Sequence, residues 1–151
     1  MKIRIAISAM LMLLFPPLLA GAAEAPVGSV KTVKGAASIV RGNAAVAPAS
    51  GTRVYRNDVL RTGPDGSLSM VFRDDTIISV GPGSELSVNE FDFSPAEGRL
   101  SIITKLLKGT AVYMSGIIAR LSPESVRFET PVANIGIRGT MFAVKVEDPG
   151  N

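Results

Sequence analysis

The stretch Thr130–Val144 reads TPVANIGIRGTMFAV and has the composition of a β-strand interrupted by two glycines. Most of its residues are apolar or β-branched, which favours extended structure. Gly136 and Gly139 nevertheless enclose Ile137 and Arg138, although glycine weakens the interior of a strand. The stretch therefore predicts a late strand with local irregularities.

Apolar residues around this stretch change twice between even and odd positions. They occur in the order Val126, Phe128, Val132, Ile135, Ile137, Phe142, Val144 and Val146. Because a strand keeps its apolar side chains on one parity, each change predicts a bulge or a sharp corner. The first break is expected at Pro131–Asn134 and the second at Arg138–Thr140. Successive pieces of one strand would then enter different apolar layers.

The two glycines suggest how such breaks are made. Gly139 can adopt a positive φ and form a bulge at little steric cost. Gly136 is expected to leave room for the stem of Arg138 or for a neighbouring backbone. A functional alternative is that Arg138 binds an anion or a partner's carboxylate. The candidate structural and interaction residues are Thr130, Pro131, Gly136, Arg138, Gly139, Thr140 and Phe142.

Short alternating segments separated by turn residues fill the rest of the chain. Leu68, Met70 and Phe72 give the cleanest alternation, and Arg73–Thr76 reads as the hairpin connection that follows. The pattern predicts an all-β fold of many short strands, either a sandwich or a solenoid-like wrap, with little or no helix.

Two segments leave local alternatives. Leu100–Tyr113 is long and apolar, and two strands joined near Lys108–Gly109 are the preferred interpretation. A helix over Leu100–Leu107 is the alternative, because short apolar runs are ambiguous by period. Ile117–Leu121 is compatible with one helical turn.

The N-terminus has the pattern of a secretory signal peptide. Lys2 and Arg4 precede the apolar run Ile5–Leu19, and small residues follow, with cleavage options within Ala22–Ala25. An uncleaved anchor is the alternative, but the run is shorter than the ~20 residues of a membrane span. We expect residues 1–25 to be the signal and residues 26–151 to form a single domain.

Composition excludes several kinds of chemistry. The chain has no cysteine and no histidine, which removes disulfides, Ser-His-Asp and Cys-His catalysis and HExxH zinc sites. The net charge of +3 gives little electrostatic support for nucleic-acid binding.

Asp74 and Asp75 are adjacent and would point to opposite faces of a strand. Glu85, Glu90 and Asp92 lack the spacing of a calcium loop. No catalytic, cofactor-binding or metal-binding residues are predicted.

Several segments together resemble the FecR domain family. TPVANIGIRGTMFAV is similar to the family's signature strand, and the resemblance runs from about Gly28 to Val146. The other supporting segments are Val59–Leu68, Phe72–Thr76, Val80–Leu86 and Leu107–Gly109.

The resemblance implies an all-β domain of the cell envelope that senses or binds and has no catalytic activity. Better-known members are iron-transport signalling regulators. The expected location is the periplasm or another exported compartment of a Gram-negative-type envelope, and the expected partner is an envelope protein or polymer. Membrane contact is expected only through the signal peptide during export. One alternative is a signalling regulator that acts with a separate membrane protein. The other is a polysaccharide enzyme that uses two carboxylates.

Overall fold

The computed structural model describes residues 21–148, so the predicted signal run Ile5–Leu19 lies outside the described residues. Within this range the chain forms twelve strands, one short helix and two 3₁₀ turns, which confirms the all-β prediction. The strands are β1 Gly28–Lys34, β2 Ala37–Arg41, β3 Ala44–Val46, β4 Arg53–Val54, β5 Val59–Thr62, β6 Ser67–Phe72, β7 Ile77–Val80, β8 Glu85–Ser94, β9 Arg99–Met114, β10 Val126–Glu129, β11 Asn134–Gly136 and β12 Met141–Val146. The helix α1 is Ile117–Leu121, and the 3₁₀ turns are Pro95–Glu97 and Pro123–Ser125.

The strands form two layers that share one strand. Sheet A has the order β4-β1-β6-β7-β9-β12, and sheet B has the order β3-β2-β5-β8-β9-β10-β11. Neighbouring strands are antiparallel except β9 and β10, which are parallel. Because β9 belongs to both sheets, the two layers are continuous in hydrogen bonding.

The shared strand β9 bends at Gly109. Its first part pairs with β8 in sheet B, and its last residues pair with β7 and β12 in sheet A. Gly109 has a φ of 89°, and a Cβ atom there would lie 2.5 Å from the Cα of Ser84. Only glycine fits this geometry. The helix alternative for Leu100–Leu107 is therefore wrong, and the two predicted strands are one continuous strand with a bend.

The core lies between the inner faces of the two sheets. Leu68, Met70 and Phe72 are all buried, as their alternation predicts. Phe72 of sheet A contacts Phe91 of sheet B with ring centroids 5.4 Å apart. Aromatic contacts of this kind contribute beyond the burial of apolar area, so they help to hold the layers together.

A buried carboxylate anchors the chain where it leaves β9. Asp74 lies in the predicted hairpin connection and is fully buried. It accepts hydrogen bonds from the N–H and hydroxyl of Thr76, at 3.1 and 2.8 Å, and from the N–H of Ile118 at 3.2 Å. The Thr76 hydroxyl in turn accepts the N–H of Gly116 at 3.1 Å. The hairpin thereby fixes the start of α1, the helical turn that the sequence allowed.

Candidate interaction site

The stretch Thr130–Val144 forms a turn and two short strands of different sheets. The turn Thr130–Ala133 connects β10 to β11, which pair in sheet B. The first predicted break lies where it was expected, but it is a hairpin turn that separates two strands and not a bulge or corner within one strand. A bulge and a hairpin turn each change the parity of the inward-facing residues. Parity alone therefore could not distinguish the two.

The turn is closed on itself by Thr130. Its N–H donates to the carbonyl of Ala133 at 2.8 Å, and its hydroxyl accepts the N–H of Ala133 at 3.0 Å. Pro131 has a fixed φ. Thr130 is buried, whereas Val132 at the tip is 92% exposed. The Thr-Pro pair thus forms a rigid turn that presents an aliphatic side chain to solvent.

The second predicted break is confirmed. The chain leaves β11 of sheet B, passes through residues 137–140 and enters β12 of sheet A. Gly139 has a φ of 134°, a backbone conformation that L residues rarely adopt. Ser115 secures the crossing: its hydroxyl donates to the carbonyl of Gly139 and its N–H to that of Thr140, both at 2.8 Å.

Gly136 and Arg138 behave differently from expectation. No atom lies within 4 Å of a Cβ built on Gly136, so the predicted close approach at this glycine is wrong. The reason is that Gly136 faces solvent. Arg138 is exposed and lines a shallow pocket of about 380 Å³ together with Glu124. A hydrogen bond from Ser122 lowers the pKa of Glu124. Anion binding by Arg138 stays a prediction.

Phe142 fastens β12 to the core. Its ring stacks on Tyr113 at 5.1 Å and meets Phe128 edge-on at 5.5 Å. Burial raises the pKa of the Tyr113 hydroxyl well above its usual range. A hydrogen bond with the nearby Thr76 hydroxyl would lower the pKa of Tyr113 and so oppose this rise. The Thr76 hydroxyl instead donates to Asp74 and accepts the N–H of Gly116. The Tyr113 hydroxyl therefore has no well-formed hydrogen bond among the described residues.

An apolar groove of about 520 Å³ separates the Thr130–Ala133 turn from β12. Leu107 and Ile135 contribute apolar side chains to its lining, and Val144 and Val146 line the β12 side. Its two charged lining residues, Lys145 and Glu147, contact each other at 3.1 Å. The groove is therefore suited to aliphatic side chains and not to a charged ligand.

Two neighbouring cross-strand rows on the outer face of sheet A are uncharged over four strands, and Lys145 lies in the row that follows, opposite Thr110. One cross-strand row consists of Val71, Ile77, Met114 and Met141, and the next consists of Ser69, Ser79, Val112 and Ala143. Among the large apolar side chains of these rows, Met141 is 64% exposed, Met114 44% and Val112 39%. Contiguous exposed apolar side chains are typical of interaction surfaces.

The outer face of sheet B has the opposite character. Arg61 pairs with Glu85 at 3.1 Å, and Arg99 approaches Asp92 to 3.8 Å. Glu90 accepts a hydrogen bond from Ser101 on the neighbouring strand. Glu85, Glu90 and Asp92 thus have separate partners. Within residues 21–148 no group of three acidic side chains is placed to hold a metal ion.

A second buried carboxylate, absent from the sequence-based predictions, lies immediately before β5 of sheet B. Asp58 accepts two hydrogen bonds from Arg41, at 2.9 and 2.7 Å, and one from the N–H of Tyr55 at 2.8 Å. The guanidinium lies 4.4 Å from the centre of the Tyr55 ring. The hydrogen bond to Asp58 raises the pKa of Arg41. The pair joins residues distant in sequence, so no local pattern indicated it.

The helix α1 is far too short to cross a bilayer, and none of the chain from residue 21 to residue 148 forms a helix long and apolar enough to do so.

Comparison with known proteins supports the resemblance found in the sequence. Searches of curated proteins and of solved structures each returned no match. The family model described as FecR protein matches residues 58–151, a range that includes the Thr130–Val144 stretch and both sides of the groove, the Thr130–Ala133 turn and β12. This match covers more than half of the sequence, and the chain therefore belongs to the FecR protein family.

Proposed function

We propose that this protein is a non-catalytic, exported domain that binds another protein of the cell envelope. Membership of the FecR family supports a signalling-related, envelope-associated role. The single observation that carries the binding proposal is the pair of uncharged cross-strand rows on the outer face of sheet A, where Val112, Met114 and Met141 are exposed side by side.

Hydrophobic burial explains why this face suits a protein partner. Each apolar side chain removed from water contributes about 25 cal/mol per Å². The opposite face of the sandwich offers no equivalent, because covering its exposed charged pairs costs desolvation free energy. A partner that covers sheet A therefore gains free energy that a partner on sheet B does not.

The roles of the buried acids support a non-catalytic domain. Asp58 is bound to Arg41 and Asp74 to Thr76 and Ile118, so both carboxylates are engaged in holding the fold. The two-carboxylate mechanism requires acids that flank a substrate. These two accept internal hydrogen bonds instead.

Site-specific photo-crosslinking in cells tests the proposal. A photoreactive amino acid is placed at Met141 or Val112 of the full chain, with Ser87 and Arg61 of sheet B as control positions. We expect discrete crosslinked proteins from the sheet A positions only. Absence of such products, or equal products from both faces, contradicts the proposal. Fractionation of the same tagged chain tests its export.

A second candidate function is regulation of signalling together with a separate membrane protein, which the family match favours. Deletion of the gene is then expected to change the transcription of a defined gene set under envelope or iron stress. An unchanged transcriptome would exclude this role and leave the binding proposal intact.

A further inference from the structure

The four strands that end the two sheets differ in length. Sheet B ends in β3 and β11, each of three residues, and sheet A ends in β4, of two residues, and β12, of six residues. Short edge strands protect a sheet against pairing with other chains. Among these four terminal strands, all within residues 21–148, β12 is thus the one long enough to accept a complete strand.

We propose that β12 binds an extended segment of the protein partner by strand addition, with alternate apolar side chains of that segment entering the groove beside it. This inference rests on the proposed function and names its binding mode. An unpaired strand edge presents backbone N–H and C=O groups in a row, and only another extended backbone satisfies them all.

The groove specifies the side chains of the added strand. Side chains of a strand alternate between its two faces, so every second residue would point towards Leu107 and Ile135 on the floor. The inward residues of β12, Val144 and Val146, are only partly buried and form the adjoining wall. Aliphatic side chains of medium size complement this mainly apolar lining, whose two charged residues, Lys145 and Glu147, pair with each other.

The Thr130–Ala133 turn forms the opposite wall and is preorganised. Thr130 closes it with hydrogen bonds to Ala133, and Pro131 restricts its backbone. Val132 can therefore contact the added strand without a loss of loop entropy on binding, which favours affinity. The conspicuous Thr-Pro pair of the sequence acquires a role in recognition.

A second copy of this chain does not fit the groove. If two β12 strands paired, the inward side chains of each, Phe142 among them, would remain packed in their own sandwich. Neither copy could then fill the other's groove. The occupant is consequently a segment whose apolar side chains are not already packed, as in an unpaired extended region of another protein.

A library of random twelve-residue peptides displayed on phage provides the probe. We expect selection on the purified protein to enrich peptides with alternating apolar residues. A bound peptide is expected to slow amide hydrogen exchange in residues 141–146 about tenfold and to leave that of β3 unchanged. Failure to enrich such peptides, or protection outside β12, overturns the inference.

Matched variants locate the binding. Val132→Asp is expected to weaken binding of the selected peptide about tenfold. The control is Leu121→Asp, which changes an aliphatic residue of α1 that is 60% exposed and outside the groove. Equal affinity of both variants overturns the inference. Circular dichroism of each variant verifies the fold.

The two proposals fail in different ways. If Met141 still crosslinks to a protein in cells but the selected peptides ignore β12, strand addition is wrong and the binding function stands. If the domain instead forms dimers whose β12 amides become protected with concentration, the edge serves self-association and the inference is wrong. If the sheet A positions give no crosslinked protein and no selected peptide binds at β12, both proposals fail.

Discussion

Two glycines mark places where the chain passes from sheet B to sheet A, and their surroundings differ. Gly109 lies against Ser84, whose hydroxyl accepts the N–H of Thr110 at 2.9 Å and donates to its carbonyl at 3.1 Å. Gly139 has open space around it and is held by Ser115. The tight crossing fixes the geometry of the sandwich, whereas the open crossing leaves β12 and its groove accessible.

The largest expected effect is at the tight crossing. Gly109→Val combines a positive φ with an overlap against the Ser84 backbone, so we expect a loss of about 4 kcal/mol in the free energy of unfolding. Chemical denaturation followed by circular dichroism measures this loss. A variant as stable as the parent would show that β9 does not bend here.

Asp74→Ala is expected to cost about 3 kcal/mol. The substitution leaves the Thr76 hydroxyl and the Ile118 N–H buried without their acceptor. The same denaturation experiment measures the loss, and Asp75→Asn, on the exposed side of the hairpin, is the control because asparagine tolerates the positive φ of this position. Equal losses at both positions would contradict the anchoring role of Asp74.

Gly139→Val sharpens the comparison between the crossings. Its φ is unfavourable for valine but no atom obstructs the side chain, so we expect a loss of about 2 kcal/mol, smaller than that at Gly109. Melting temperatures of the two valine variants test this order. If Gly139→Val were the more destabilising variant, the backbone conformation at Gly139 would matter more than the steric overlap at Gly109.

Tyr113→Phe is expected to change stability at neutral pH by less than about 1 kcal/mol and in the stabilising direction, because it removes an unpaired buried hydroxyl. The unfolded hydroxyl ionises near pH 10.0, and burial raises the pKa in the fold. The stability gained by keeping this hydroxyl neutral is therefore complete below pH 10.0 and is lost as pH rises through the folded pKa. The free energy of unfolding, measured by chemical denaturation across this pH range, should fall less steeply in the variant than in the parent.

Features set by local sequence could be predicted, and features set by distant contacts could not. The alternation in β6 and the turn composition of Arg73–Thr76 are local, and both predictions are confirmed. The Arg41–Asp58 pair and the burial of Asp74 depend on chain segments that meet only in the fold. A polar turn residue gives no local sign that another segment will cover it.

The candidate site was predicted in part. The crossing at Gly139 followed from parity, and the same test marks the bend in β9, because the inward residues change from Leu106 to Ala111. The groove could not be inferred from the sequence. It results from the separation of the Thr130–Ala133 turn and β12, which lie in different sheets.

The central place of β9 has a consequence for folding kinetics. Strands that precede β9 in the sequence, such as β5 and β7, belong to different sheets. These sheets are not connected by hydrogen bonds until β9 pairs with both. Many of its pairings, including that with β7, span long loops whose closure is entropically unfavourable. Refolding should therefore be slow for a domain of this size. Partly made chains would expose open sheet edges, which makes a period of protection by chaperones advantageous.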